Sequence, residues 1–127
     1  MKPETKEWLA IAEGDYQVGL YAYKKAHHPQ AIYMLCQALE KVLKAAQIEF
    51  ADQAPKRTHR LEQIAKDSWL EFSQEQYDIL TDLSKHYAKV RYPDFARMDY
   101  NTKSKVTPIV THIKDIYQWT LHKFSNH

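Results

Sequence analysis

The sequence predicts an all-α protein, an antiparallel up-and-down four-helix bundle with one additional short helix. Only two glycines and five prolines occur in 127 residues, so the chain lacks the turn residues that hairpins and sandwiches require. Four long segments repeat apolar residues at three- and four-residue spacing, which is typical of amphipathic helices. The length and the uniform composition predict a single domain over residues 1–127.

The first helix is predicted from about Pro3, a favourable first-turn residue, to about Lys25. Its core-facing stripe contains Leu9, Ala12, Tyr16, Gly19, Leu20 and Tyr23. A second apolar group, formed by Ile11, Val18 and Ala22 with Trp8 at its border, lies nearly opposite that stripe. A helix that is apolar on two faces has two packing partners. The outer group is covered either by the short helix or a loop or, as we favour, by a second copy in a homodimer.

The second helix, from near Pro29 to near Phe50, has the clearest apolar face. That face contains Ile32, Leu35, Cys36, Leu39, Val42, Leu43 and Ala46. Cys36 is the only cysteine, and we interpret it as a core residue rather than a reactive thiol.

The segment between Ala51 and Thr58 is predicted to be a loop, and Thr58 is a candidate cap for the short helix. That helix would carry Leu61, Ile64 and Ala65, and the connection after it would pack on the bundle through Trp69, Leu70 and Phe72.

Ser73 and Gln76 have the spacing of a capping box, so the next long helix should begin there, and Pro93 should end it. The segment from Asp94 to Asn101 is predicted to be a loop. The last helix should begin between Asn101 and Thr107, because Pro108 is tolerated only in a first turn.

Composition excludes several classes of function. The net charge of +2 gives no general affinity for nucleic acid, and the absence of GxGxxG, P-loop and HExxH motifs leaves no basis for a cofactor or a metal site. No apolar run approaches the roughly 20 residues that cross a bilayer, and the N-terminal segment is charged. We therefore expect a cytoplasmic protein with no metal, no cofactor and no membrane association.

The segment from Tyr87 to Asp94 is the most informative stretch for function. This segment is predicted to be the end of an amphipathic helix, which places Arg91 beside the ring of Tyr92 and the carboxylate of Asp94. A guanidinium matches the geometry of a phosphate and stacks on bases, so this end is a candidate nucleotide or RNA site. A helix terminator with an ordinary salt bridge is the structural alternative.

Four short motifs occur in a characteristic order: Asp15-Tyr16, the stretch from Gln37 to Lys44, Thr58-His59-Arg60-Leu61, and Arg91-Tyr92-Pro93-Asp94. In their order and spacing the chain resembles the HEPN family of small helical domains. The resemblance implies a helical bundle, frequently a dimer, often encoded beside a minimal nucleotidyltransferase as a toxin–antitoxin pair. It also implies a candidate activity, because many members are ribonucleases that need no metal.

The family's ribonuclease signature is an arginine followed a few residues later by a histidine, and this chain departs from it. No histidine follows either Arg91 or Arg97 at the required place. His86 is the nearest substitute, but at about 100° per residue it lies roughly 140° from Arg91 on the same helix. The two could meet only across a dimer axis. His59 is a further candidate for the missing histidine, although a structural role, as a helix cap or in holding the loop in position, is the simpler interpretation.

Other candidate residues lie on the second helix and beyond the Arg91 end. Lys41 and Lys44, one turn apart and near Tyr33, either form a solvated face or follow a phosphate backbone with a ring for base stacking. Tyr100 is a candidate for modification, since some family toxins are silenced when AMP is attached to a tyrosine.

Two functions remain from these considerations. The first is a HEPN dimer that binds a nucleotide or RNA at Arg91 and pairs with a minimal nucleotidyltransferase. The second is a metal-independent toxin ribonuclease whose site is completed across a homodimer by Arg91 with His86 or a tyrosine.

Overall fold

The computed structural model describes residues 1–125, which form six helices and no strand. In chain order these are α1 (Pro3–Lys24), α2 (His28–Ala51), α3 (Leu61–Asp67), α4 (Gln74–Lys89), α5 (Pro93–Asp99) and α6 (Lys103–Ser125). The predicted all-α bundle is confirmed, with α1, α2, α4 and α6 as its long helices. None of these helices is both long and apolar enough to cross a lipid bilayer.

Helix α2 is the centre of the fold, because it packs against α1, α3, α4 and α6. Its apolar residues are buried on nearly every side, as expected for a helix with neighbours all around it. Cys36 is fully buried, and burial raises the pKa of its thiol far above the ordinary value. The interpretation of Cys36 as a core residue is therefore confirmed.

Three contacts fix α1 on its neighbours α6 and α2. The rings of Tyr16 and Tyr117 stack with centroids 4.0 Å apart and planes 9° from parallel. The Tyr117 hydroxyl donates a hydrogen bond of 3.1 Å to Glu13. At Gly19 the backbone of α1 approaches α2 so closely that a Cβ would lie 2.7 Å from the Leu35 side chain. Glycine is the residue that permits this approach.

The predicted capping box at the start of α4 is present. The Ser73 hydroxyl accepts a hydrogen bond of 3.1 Å from the Gln76 amide, and the Gln76 side chain accepts one of 2.8 Å from the Ser73 amide. Both bonds satisfy amides that a helix start otherwise leaves without partners.

The prediction of a loop from Asp94 to Asn101 was wrong. Helix α4 ends at Lys89, and Pro93 is the first residue of α5. Proline has a φ that suits a first helical turn, and it holds Tyr92 before it in the extended conformation. Pro93 therefore separates two helices instead of only ending one.

Three smaller expectations also differ from the structure. Trp69 does not pack on the bundle but is 68% exposed, at a residue whose φ is 67°. Helix α6 begins at Lys103, inside the predicted window, yet Pro108 is its sixth residue and so lies in the second turn. Thr58 does not cap α3, whose N-cap residue is Arg60.

Candidate functional site

The C-terminal end of α4 and the first turns of α2 enclose a groove of about 350 Å³, the Arg91 groove. It is lined by Pro29, Gln30, Tyr33, Met34, Val90 and Arg91. Most of this wall is apolar or aromatic, while Arg91 and Gln30 contribute longer polar side chains. A mainly apolar groove with few polar groups is the usual composition of a small-molecule site.

Arg91 is exposed and forms no ion pair with any residue from 1 to 125. Asp94 is also exposed, but it does not pair with Arg91, and the neighbouring Lys89 binds Asp99 at 3.3 Å instead. The Tyr92 ring is 58% exposed and meets Phe95 edge to face at 6.4 Å. The Arg91 end therefore presents a free cation and an exposed ring to solvent.

A second groove of about 390 Å³, the Arg97 groove, lies between the α1–α2 turn and α5. Its lining is Ala26, His27, His28, Pro29, Gln30, Ala96, Arg97, Tyr100 and Asn101. Because Pro29 and Gln30 line both grooves, the two are neighbours at the N-terminal end of α2. Sequence reasoning missed this groove because α5 was expected to be a loop. A proline followed by seven residues without glycine was the available signal.

The electrostatic character of this end of α2 is positive. The first turn of α2 contains no acidic residue, and its N-cap, His27, makes no side-chain capping bond. The amides at a helix start favour a nearby anion. The Nδ1 atom of His28 is buried without a hydrogen-bond partner among residues 1–125. Arg91 and Arg97 lie in the two grooves beside this helix end, so several hydrogen-bond donors surround the N-terminal end of α2.

His86 and Tyr100 form a pair with each other. The Nδ1 atom of His86 and the Tyr100 hydroxyl are 2.8 Å apart. Burial, reinforced by Lys89, lowers the pKa of His86, so the ring is neutral near pH 7. Burial raises the pKa of Tyr100 to about 12, which keeps the proton on its hydroxyl. One nitrogen of His86 is therefore occupied.

This pairing bears on the expectation that Tyr100 is a site of modification. The side chain is 1% exposed, and its hydroxyl is engaged by His86. A transferase would have to free that hydroxyl before it could attach a group.

Lys41 and Lys44 do not form the expected open basic face. Lys41 is half-buried in an ion pair with Asp15. Lys44 is buried, donates to Glu40 at 2.9 Å, and lies 5.8 Å from the centre of the Trp8 ring. The structure brings Arg91 and Tyr33 into one groove and leaves these two lysines outside it.

Glu40, on the same helix as these lysines, is buried at the centre of a polar network. Its carboxylate accepts hydrogen bonds from Lys44, from the Tyr87 hydroxyl at 3.0 Å and from Nδ1 of His59 at 2.8 Å. Burial acts to raise the pKa of Glu40, but bonds from His59, Lys44 and Tyr87 outweigh it and leave the pKa below its ordinary value. The spacing of Glu40 and Lys44 was the only signal of this network in the sequence.

Residues 1–125 contain no group of three or more His, Cys, Asp or Glu side chains arranged to hold a metal ion. The candidate site consists of the two grooves, with arginines, rings and helix amides as its candidate binding groups.

Comparison with solved structures shows the same fold in two proteins. A crystal structure of TT1696 from Thermus thermophilus is similar with a TM-score of 0.81 and 19% identity, covering 96% of this chain and 99% of that one. The crystal structure of ST0689, an archaeal HEPN homologue, has a TM-score of 0.72 and 21% identity, covering 97% and 98% of the two chains. At this identity the likeness establishes the fold alone. Comparison with curated proteins finds no match.

The family assignment comes from a separate comparison. The model of the HEPN domain matches residues 5–123, which is nearly the whole chain and contains all four motifs of the sequence. The chain therefore belongs to the HEPN domain family.

Proposed function

We propose that this HEPN protein binds a nucleotide or the phosphates of an RNA strand at the Arg91 and Arg97 grooves. The observation that supports this most strongly is the exposed Arg91, which has no ion pair within residues 1–125 and borders an apolar groove. An arginine placed in this way is available to an anion, because the guanidinium binds phosphate oxygens through two parallel hydrogen bonds.

Each proposed contact uses a side chain that lies in or beside one of the two grooves. Arg91 and Arg97 hold phosphates beside the N-terminal end of α2. Tyr33, in the groove wall, and the exposed Tyr92 offer faces for base stacking. Asp94 accepts hydrogen bonds from ribose hydroxyl or base amino groups. Lys41 and Lys44 are left out of the proposed surface because their ammonium groups already bind carboxylates.

The first prediction concerns Arg91. We expect Arg91→Ala to weaken binding of a labelled single-stranded RNA or of a labelled ATP analogue about tenfold, the effect of losing a charged hydrogen bond. Fluorescence anisotropy measures it. Arg57→Ala is the matched control. Arg57 is also exposed but lies outside both grooves, and its substitution removes the same charge. Equal losses in both variants, or none in either, would exclude the Arg91 groove as the site.

The alternative function is a metal-independent ribonuclease completed across a homodimer by Arg91 and His86. Such cleavage needs a group that takes the 2′-hydroxyl proton. His86 is a weak candidate, because its Nδ1 atom is occupied by Tyr100 and its surroundings keep it half-buried. The test is to incubate the protein with labelled RNA in EDTA. Cleavage of the RNA by the native protein, and its loss in the His86→Ala variant, would support this alternative over binding alone.

The proposal includes two protein partners that family membership suggests. One is a second copy of the chain, and the other is a minimal nucleotidyltransferase encoded beside it as the second half of a toxin–antitoxin pair. Co-expression with the neighbouring gene product followed by purification through a tag on one chain tests the second partner. Recovery of this protein alone would count against it.

A further inference from the structure

His59 and Glu40 form a pair of titratable side chains outside the two grooves. The Nδ1 atom of His59 lies 2.8 Å from the Glu40 carboxylate. Glu40 is buried in the bundle, whereas the His59 side chain is 68% exposed. His59 belongs to the segment that connects α2 to α3. The pair therefore joins a buried carboxylate to an imidazole ring on the surface.

Glu40 determines which nitrogen of His59 carries the proton. The pKa of Glu40 lies below its ordinary value, so its carboxylate is ionised near pH 7 and accepts the bond from Nδ1. In the neutral ring the free electron pair is then on Nε2. Nε2 makes no hydrogen bond to any residue from 1 to 125. A histidine that a carboxylate orients in this way, with its other nitrogen open, has the arrangement of the base in hydrolytic triads.

The burial of Glu40 does not require His59. One oxygen of the carboxylate accepts from Lys44 at 2.9 Å, and the other accepts from the Tyr87 hydroxyl at 3.0 Å. Both oxygens therefore have a partner within the bundle, and Lys44 supplies the counter-charge. A role in holding the loop explains the bond from Nδ1 of His59, but it does not explain why most of the ring faces solvent.

The Tyr87 ring connects His59 to the Arg91 groove. It meets the His59 ring edge to face at 6.1 Å and the Tyr33 ring edge to face at 5.6 Å. Tyr33 is part of the groove wall. Glu40 follows Tyr33 by seven residues on α2, which is two helical turns, or about 11 Å, along the same face. A strand of nucleotides, unlike a single nucleotide, can reach from the groove to His59.

We propose that His59 is a general base positioned by Glu40, and that it acts on a ribose 2′-hydroxyl of an RNA strand held at the Arg91 groove. The inference deepens the proposed function, on which it rests, by naming an RNA strand as the ligand and assigning it a reaction. The base comes from the segment before α3 of the same protomer. It is therefore distinct from His86, whose Nδ1 atom is engaged by Tyr100.

The reaction is an internal transfer of the phosphodiester. Nε2 of His59 takes the proton of the 2′-hydroxyl while the 2′-oxygen forms a bond to the adjacent phosphorus. The bond from phosphorus to the 5′-oxygen breaks, and that oxygen takes a proton from water. The products are a 2′,3′-cyclic phosphate and a 5′-hydroxyl end, and the imidazolium returns its proton to solvent. The Glu40 carboxylate stabilises the imidazolium while it exists.

Substitution of His59 tests the base directly. We expect the native protein, in excess over a labelled single-stranded RNA in EDTA, to produce fragments that end in a cyclic phosphate. His59→Asn should slow this cleavage by about a hundredfold or more, the usual contribution of a general base, and leave RNA binding in fluorescence anisotropy unchanged. Asparagine keeps a donor for Glu40 but has no second ring nitrogen. His112→Asn, at an exposed position on α6, is the control and should cleave at the native rate.

Two further measurements separate a catalytic role from a structural one. Imidazole added to the buffer should restore part of the cleavage by His59→Ala, because a free base can enter the vacated space. Glu40→Gln, assayed at a temperature at which circular dichroism shows it folded, should lower the cleavage rate at saturating RNA about tenfold or more. Its affinity for RNA should not change, because Glu40 orients the base and does not contact the strand.

The outcomes distinguish this inference from the proposed function. RNA that binds to the native protein without being cleaved, or cleavage that persists in His59→Asn, would overturn the assignment of the base and leave the binding function in place. Loss of cleavage that imidazole does not restore would assign His59 a structural role. Absence of RNA binding to the native protein would overturn the proposed function and the base together.

Discussion

At the scale of single residues, Glu40 links the core to the surface. It is 5% exposed, and it accepts hydrogen bonds from Lys44, Tyr87 and His59, which come from three different segments of the chain. A buried carboxylate is tolerated only when it is paired in this way. Since Lys44 is also buried, loss of the carboxylate charge would leave an ammonium group without a counter-charge.

We therefore predict that Glu40→Gln lowers the free energy of unfolding by roughly 2–4 kcal/mol, the usual cost of breaking a buried ion pair. Urea denaturation measures this loss. Because the folded-state pKa of Glu40 lies below its ordinary value of 4.5, its contribution is fully present above about that pH and is lost as pH falls through the folded pKa. The variant and the native protein should converge in stability in strong acid. Glu71→Gln, an exposed control, should show neither effect.

The residues of the candidate site could be predicted only in part. Arg91, Tyr33 and Tyr92 stood out as types that bind phosphates and bases, and Arg91 lies beside a groove with no ion pair to any of the residues that the structure describes. The partners of Lys41 and Tyr100 could not be predicted, because Asp15 and His86 reach them from other helices in an arrangement that only the folded chain defines. The pairing of Lys44 with Glu40 follows from their spacing of four residues, but the burial of both does not.

At the scale of elements, periodicity predicted the four long helices because each has a continuous apolar face. Helix α5 gave no such signal, since none of its residues is buried. Its position depends on Pro93, which suits both the end of one helix and the start of the next. The sequence could not distinguish these two roles.

The packing of α1 on α2 provides the element-scale prediction. We expect Gly19→Ala to destabilise the protein by about 1–2 kcal/mol, because the cost of overpacking exceeds the gain in helix propensity. The new methyl group would lie 2.7 Å from the Leu35 side chain and 3.0 Å from its amide nitrogen, so α1 would have to move. Thermal denaturation at a concentration too low for self-association measures the change. Gly14→Ala, with open space around it, should instead gain stability from helix propensity alone, and a loss of equal size there would refute the packing argument.

At the scale of the whole molecule, both grooves lie at one end of the bundle, where the α1–α2 turn, the end of α4 and α5 meet. A site completed across a homodimer would need Arg91 close to its symmetry mate. A site that binds its ligand within one protomer has no such need, so the binding function and the cross-dimer ribonuclease make opposite predictions.

The last prediction separates them. If each protomer has a complete site, a labelled ATP analogue should bind without cooperativity, with a Hill coefficient near one and an affinity that does not change as the protein is diluted. A site completed across a homodimer should instead lose affinity on dilution, because the two halves of the site separate. Isothermal titration over a range of protein concentrations measures the difference, and Arg91→Ala should lose binding at every concentration. An affinity that falls on dilution, with Arg91 unchanged, would show that the site needs two copies of the chain.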